Sequence, residues 1–210
     1  MKLQKVGGYA SLAIAFLFIV FLIIIFVVMP RLGLAGPGDF GDPAKWIAAV
    51  NASGLPFLLL SYVFILFSIV FILIVLALRE RMQAESPHLV QISVIGASIF
   101  SALFLAAGVI GIAALPSIAS ANDISAYRAV NKVMFALLFA GAHASGWVLL
   151  LSGWGALKSR RLPKILSWLQ MLLGIAWIAE FAVEPLQVLD AIPAIVWGVW
   201  LGVVLLRSKS

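Results

Sequence analysis

Long apolar stretches without a charged residue constrain the fold of this chain more than any other feature. Three of them lie between Lys5 and Arg31, between Lys45 and Arg79, and between Lys132 and Lys158, and three further stretches nearly match them. At ~1.5 Å per residue, such a helix can cross a hydrocarbon core of about 30 Å. The chain is 64% hydrophobic and only 10% charged, so a soluble core of this size could not hide its apolar surface. The sequence therefore predicts an all-α polytopic membrane protein.

We predict one domain over residues 1–210, a six-transmembrane-helix bundle. Its spans are about 7–29, 55–78, 90–115, 133–157, 165–183 and 187–206, and the last two are barely long enough to cross. Six crossings place both termini on one side. Ten of the 14 Lys and Arg residues lie on that side and four on the other, so the positive-inside rule makes both termini cytoplasmic. We expect the protein in a bacterial cytoplasmic (inner) membrane.

The outer loop, residues 30–54, is predicted to contain a short helix that ends near Ala52. Asp42 is suited to cap its first turn and Pro43 to occupy the first helical position. One side of this helix is apolar and predicts a position at the membrane interface; it carries Trp46, Ile47 and Val50. Two interpretations stay open, a lid over an outer cavity and an interfacial anchor.

The fourth long helix is predicted to begin outside the apolar layer. Asn122 or Asp123 can cap it, and it continues through Tyr127 before it enters the membrane. This projecting segment is therefore expected near the helix that carries Trp46.

On the inner side, a tight basic turn joins the fourth and fifth spans. Pro163 is expected to open the fifth helix. The turn is predicted to determine topology and also to contact anionic lipid headgroups, and its basic residues are Lys158, Arg160, Arg161 and Lys164.

Residues 134–178 resemble the second half of the bacterial membrane proteins grouped as domain of unknown function 4386. The shared pattern is an intramembrane histidine, a glycine-bearing helix, a Leu-Pro turn and a second glycine-bearing helix with an aromatic residue, here His143, Gly146, Leu162, Pro163, Gly174 and Trp177. The opening residues 5–10 are similar to the basic, glycine and apolar start of that family. The resemblance implies a six-helix fold and adds no chemistry, because the family has no established activity.

His143 is an ionisable side chain ~15 Å inside the fourth span. Such groups usually face the protein interior. Ala142 and Gly146 form a small-xxx-small pair that favours close approach by another helix. His143 is therefore interpreted either as a neutral histidine that bonds neighbouring helices together or as part of a ligand pocket.

Acidic residues gather at the outer end of the last two helices. Glu180 lies near the outer boundary of the apolar layer, and Glu184 lies one helical turn further out. Either they are solvated at the interface or they line an outward-facing pocket with Trp177 and Trp46. We expect His143 and Glu180 to share one water-accessible cavity, with an axial offset of about 6 Å.

The remaining residues argue against several kinds of chemistry. The chain has no Cys and only two His, which excludes thiolate sites and leaves too few ligands for zinc unless acids complete the site. It carries no phosphate loop, dinucleotide motif or nucleophile elbow. We therefore predict no catalytic residues, cofactor or metal. The net charge of +6 is explained by topology, so we predict no nucleic-acid partner.

Two functions follow from the sequence. The first is a non-enzymatic membrane protein that binds or passes a small ligand, or acts as an accessory subunit of a membrane complex. The alternative is an intramembrane enzyme or redox protein that uses His143 and Glu180.

Overall fold

The computed structural model describes residues 3–36, 39, 42–179 and 191–207. These residues form helices joined by short turns and include no strand. Their helices are α1 (Leu3–Arg31), α2 (Pro43–Ala52), α3 (Leu55–Met82), α4 (Pro87–Ser120), α5 (Ile124–Ser159), α6 (Lys164–Ala179) and α7 (Ala191–Arg207). The first helix contains a π-helical segment, Ile24–Val28. It is a local widening of an otherwise α-helical span.

Four of these helices are long and apolar enough to cross a membrane, namely α1, α3, α4 and α5. They contain the first four predicted spans. The described parts of the last two predicted spans are the shorter apolar helices α6, with 16 residues, and α7, with 17. The four long helices support a helical membrane bundle, and six crossings stay a prediction.

The helices pack in a nearly sequential order. Contacts run from α1 to α3, from α3 to α4, from α4 to α5 and from α5 to α6. The helix α7 then packs along α1. The central core is formed by large side chains that are almost fully buried, including Ile14, Phe71, Leu149, Leu166, Trp197 and Leu201. The chain therefore closes on its own first helix.

The closest approach between α5 and α6 occurs at Gly146 and Gly174. A Cβ atom on Gly146 would lie 2.8 Å from the Gly174 carbonyl oxygen, and a Cβ on Gly174 would lie 2.5 Å from the backbone nitrogen of Leu150. Because no side chain fits there, the two backbones can pack directly. Gly146, one of the two predicted packing residues, lies at this contact, whereas the other, Ala142, is only half-buried.

A short helix, α2, occupies the predicted position in the loop after α1. The Asp42 carboxylate accepts a hydrogen bond from the Ala44 N–H at 2.9 Å and caps α2. The apolar side of α2 is buried in a second core cluster with α3, α4 and α5. The helix is thus packed against protein on that side, and its position at a membrane interface stays a prediction.

Candidate functional site

His143 lies on the exposed side of α5. Its partner is Trp147, one helical turn further along, whose indole Nε1–H donates to His143 Nε2 at 3.2 Å. The expectation that His143 faces the interior of the bundle is therefore wrong. The side of α5 that packs against α6 carries Gly146, three residues after His143.

The hydrogen bond with Trp147 selects the tautomer of the neutral His143 ring. An indole can only donate, so Nε2 of the imidazole must be the unprotonated acceptor. The neutral ring then carries its proton on Nδ1. No described residue accepts a hydrogen bond from this Nδ1–H. This Nδ1–H is thus an unpaired donor on the exposed side of α5.

The surroundings of this donor are small and aromatic side chains. Ala136 and Ala140 are exposed on the same side of α5 as His143. Trp147 is 47% exposed and Trp154 is 56% exposed. We call the surface formed by these four side chains and His143 the α5 outer face; its members are Ala136, Ala140, His143, Trp147 and Trp154. Two small residues four positions apart leave room for a helix to approach closely.

The predicted outer pocket is not assembled from the residues that the structure describes. Trp177 is buried and lies beside Phe18, with ring centroids 6.1 Å apart. Trp46 is buried between Phe57 and Tyr127, with ring centroids at 4.8 and 6.0 Å. Side chains therefore fill the space beneath α2 at these positions. The contact with Tyr127 confirms that α2 meets the projecting start of α5.

The acidic half of that predicted pocket lies outside the described residues. Glu180 and Glu184 belong to the segment 180–190. The prediction that His143 and Glu180 share a cavity therefore also falls outside the described residues. Within the described ranges, no three His, Asp or Glu side chains converge as metal ligands would.

A buried polar chain crosses the core between α5, α6 and α7. The Trp197 indole N–H donates to Gln170 Oε1 at 3.3 Å, and Gln170 Nε2 donates to Ser152 Oγ at 2.5 Å. Ser152 in turn donates to the Val148 carbonyl. Gln170 is fully buried. Sequence reasoning missed this chain, although an amide inside an apolar helix is a recognisable signal.

The inner basic turn divides its four predicted residues between two roles. The Arg161 side chain forms an ion pair with Glu85. The backbone carbonyl of Arg161 accepts a hydrogen bond from Arg81 Nε at 2.8 Å. The hydrogen bond with Arg161 holds the pKa of the Glu85 carboxyl below its usual value of 4.5. Arg161 is therefore committed to a protein contact. The other three, Lys158, Arg160 and Lys164, are exposed and have no carboxylate partner among the described residues.

Two cavities open at this same end of the bundle. One, of about 640 Å³, is lined by Leu157, Arg160, Leu162, Lys164 and Trp168. The other, of about 240 Å³, is lined by Leu3, Leu76, Arg79, Glu80 and Gln83.

No family model, curated protein or solved structure matches this chain. The resemblance to the domain of unknown function 4386 stays a prediction.

Proposed function

We propose that this protein is a non-enzymatic accessory subunit of a membrane complex, which binds the transmembrane helix of a different protein through the α5 outer face. The observation that carries this proposal is the unpaired Nδ1–H of His143 on an exposed helix surface. His143 lies ~15 Å along the helix axis inside the predicted span 133–157. At that depth in a bilayer, lipid tails offer no acceptor, so an unpaired N–H raises the free energy of the isolated protein.

A partner helix that supplies an acceptor would remove this cost. A side-chain carbonyl, a hydroxyl or a free backbone carbonyl would serve, and interhelical bonds of this kind contribute roughly 0.6 to 1.7 kcal/mol. Ala136 and Ala140 would let the partner backbone come close enough for the bond to form. Trp147 would keep the imidazole in the required tautomer.

A second copy of this chain is the less suitable occupant. In a two-fold pair, the His143 rings would present two Nδ1–H donors to each other, since each Nε2 already accepts from Trp147. The acceptor must then come from another residue, and the described α5 outer face offers only Ala and Trp side chains beside His143. A different protein with an acceptor at that depth satisfies the geometry.

Site-specific photocrosslinking in intact membranes tests the proposal. A photoreactive phenylalanine analogue at Trp154, which is 56% exposed on the same face, should crosslink to one discrete membrane protein, and His143→Phe should abolish that product. The matched control carries the analogue at Val109, which is 50% exposed on α4, and should give no such product.

The crosslinked residue identifies the acceptor. Mass spectrometry should place it within a transmembrane helix that carries a hydrogen-bond acceptor, and its replacement by Leu should remove the crosslink. A product of twice the chain mass, or equal yields from Trp154 and Val109, would contradict the proposal.

A further inference from the structure

The larger inner cavity, of about 640 Å³, combines two cationic side chains with apolar walls. Arg160 and Lys164 supply the charges, and neither pairs with a carboxylate among the described residues. Trp168, one helical turn after Lys164, is 48% exposed. The charge of this cavity is therefore available to a ligand.

The backbone that carries Arg160 is held in place by its neighbours. Arg161 is directed to Glu85, Arg81 holds the Arg161 carbonyl, and Leu162 is buried in the central core. Between α5 and this anchored segment, Arg160 adopts the left-handed conformation with φ +54°. That conformation is unfavourable for a residue with a Cβ atom and is usually occupied by Gly. The strain is retained at a position whose side chain lines the cavity.

We propose that this cavity binds the headgroup phosphate of an anionic glycerophospholipid. An Arg guanidinium can donate two parallel hydrogen bonds to a phosphate, and a Lys ammonium adds a point charge. A Trp indole is favoured at the level of the lipid headgroups. The cavity lies at the end of the bundle that the positive-inside rule places toward the cytoplasm, where membranes carry anionic lipid.

A membrane lipid fits this cavity better than free phosphate. Leu157, Leu162 and Trp168 give it apolar walls, which a glycerol backbone and the first acyl carbons can contact but an inorganic anion cannot. Ile165, immediately after Lys164, is 70% exposed and extends this apolar surface along α6. The site is separate from the α5 outer face, so neither proposal depends on the other.

Native mass spectrometry of the full-length protein in detergent, titrated with phosphatidylglycerol, tests this assignment. The wild-type protein should retain the anionic lipid, whereas phosphatidylcholine should bind at least roughly tenfold more weakly. Inorganic phosphate at millimolar concentration should not displace the lipid. Equal binding of the two lipids, or displacement by phosphate, would overturn the assignment.

The variant Arg160→Gly with Lys164→Ala separates binding from folding. Glycine suits φ +54°, so this variant should retain the melting temperature of the wild type. Its affinity for phosphatidylglycerol should fall roughly thirtyfold, as expected for the loss of two basic contacts. The control Lys5→Ala with Arg207→Ala removes the same charge outside the cavity and should change affinity less than about threefold. Equal losses in both variants would show that only net charge matters and would refute the site.

Discussion

At the scale of single residues, two polar side chains inside apolar helices have opposite environments. Gln170 is fully buried and bonded at both of its amide atoms, whereas His143 is exposed and bonded at only one ring nitrogen. A buried amide with satisfied partners fixes the relative positions of α5, α6 and α7. The exposed histidine has no such internal role, which is why the proposed partner contact is placed there.

Replacement of Gln170 tests the buried chain. Gln170→Leu keeps the volume but leaves the Trp197 N–H without its acceptor, so the free energy of unfolding should fall by about 1 to 3 kcal/mol. Adding Trp197→Phe removes the stranded donor and should cost less than the sum of the two single changes. Unfolding in detergent, measured for the full double-mutant cycle, gives the coupling. Strict additivity would show that the bond contributes nothing.

Gly146 and Gly155 form a matched pair on the same helix. A Cβ on Gly146 would meet a backbone oxygen at 2.8 Å, while the nearest atom to a Cβ on Gly155 would be 3.7 Å away. Gly146→Ala should therefore cost ~1 to 3 kcal/mol through overpacking. Gly155→Ala should be neutral or stabilise the protein by up to ~1 kcal/mol, because Ala favours helix. Thermal unfolding of both variants checks this difference, and equal melting temperatures would contradict the close contact at Gly146.

At the scale of helices, the ends were more predictable than the faces. Asp42 and Asp123 cap α2 and α5 as the sequence indicates, because a cap depends on residues close together in the chain. The outward orientation of His143 was not predictable in this way. Lipid tails and the protein core are both apolar, so the hydrophobic pattern of a transmembrane helix does not distinguish its two sides.

The cap of α5 predicts a pH response. The Asp123 carboxylate accepts hydrogen bonds from the Ala126 and Ser125 N–H groups, each at 3.0 Å. The bond from Ala126 makes the largest contribution to lowering the pKa of Asp123 below its ordinary value of 3.8, and the Ser125 hydroxyl and N–H lower it further. The stabilisation is therefore complete above the unfolded pKa and is lost as pH falls through the lower, folded pKa.

Hydrogen exchange at the first amides of α5 measures this response. After correction for intrinsic rates, protection of the Ser125 and Ala126 amides should fall in the acid range in the wild type. Asp123→Asn retains an acceptor that does not titrate, so its protection should stay nearly constant over the same range. The same pH response in both proteins would assign the change to another group.

At the scale of the whole molecule, the all-helical fold with long apolar helices was accessible from sequence, but contacts between distant segments were not. The ion pair of Arg161 with Glu85 joins two loops, and the Gln170 chain joins three helices. Each depends on how helices pack, which nearest-neighbour patterns do not contain. For the same reason, four basic residues that look equivalent in sequence have different roles in the structure.

The predicted orientation can be tested with single cysteines, since the chain has none of its own. Ser120→Cys, at the end of α4, and Gln83→Cys, beyond α3, both place the thiol at exposed positions on opposite ends of the bundle. A membrane-impermeant maleimide added to intact cells should label Ser120→Cys and not Gln83→Cys. Lysed cells should give both products, and labelling of Gln83→Cys from outside would reverse the orientation.

The return of α7 to α1 has a consequence for biosynthesis. Gly8 and Ser11 of α1 lie directly against Gly202 and Gly198 of α7, so this surface has no such partner until α7 has been synthesised. Helices α2 to α6 must therefore be synthesised before α1 can meet this partner. Completion of the fold therefore depends on α7. A chain that terminates before α7 would leave the surface at Gly8 and Ser11 uncovered.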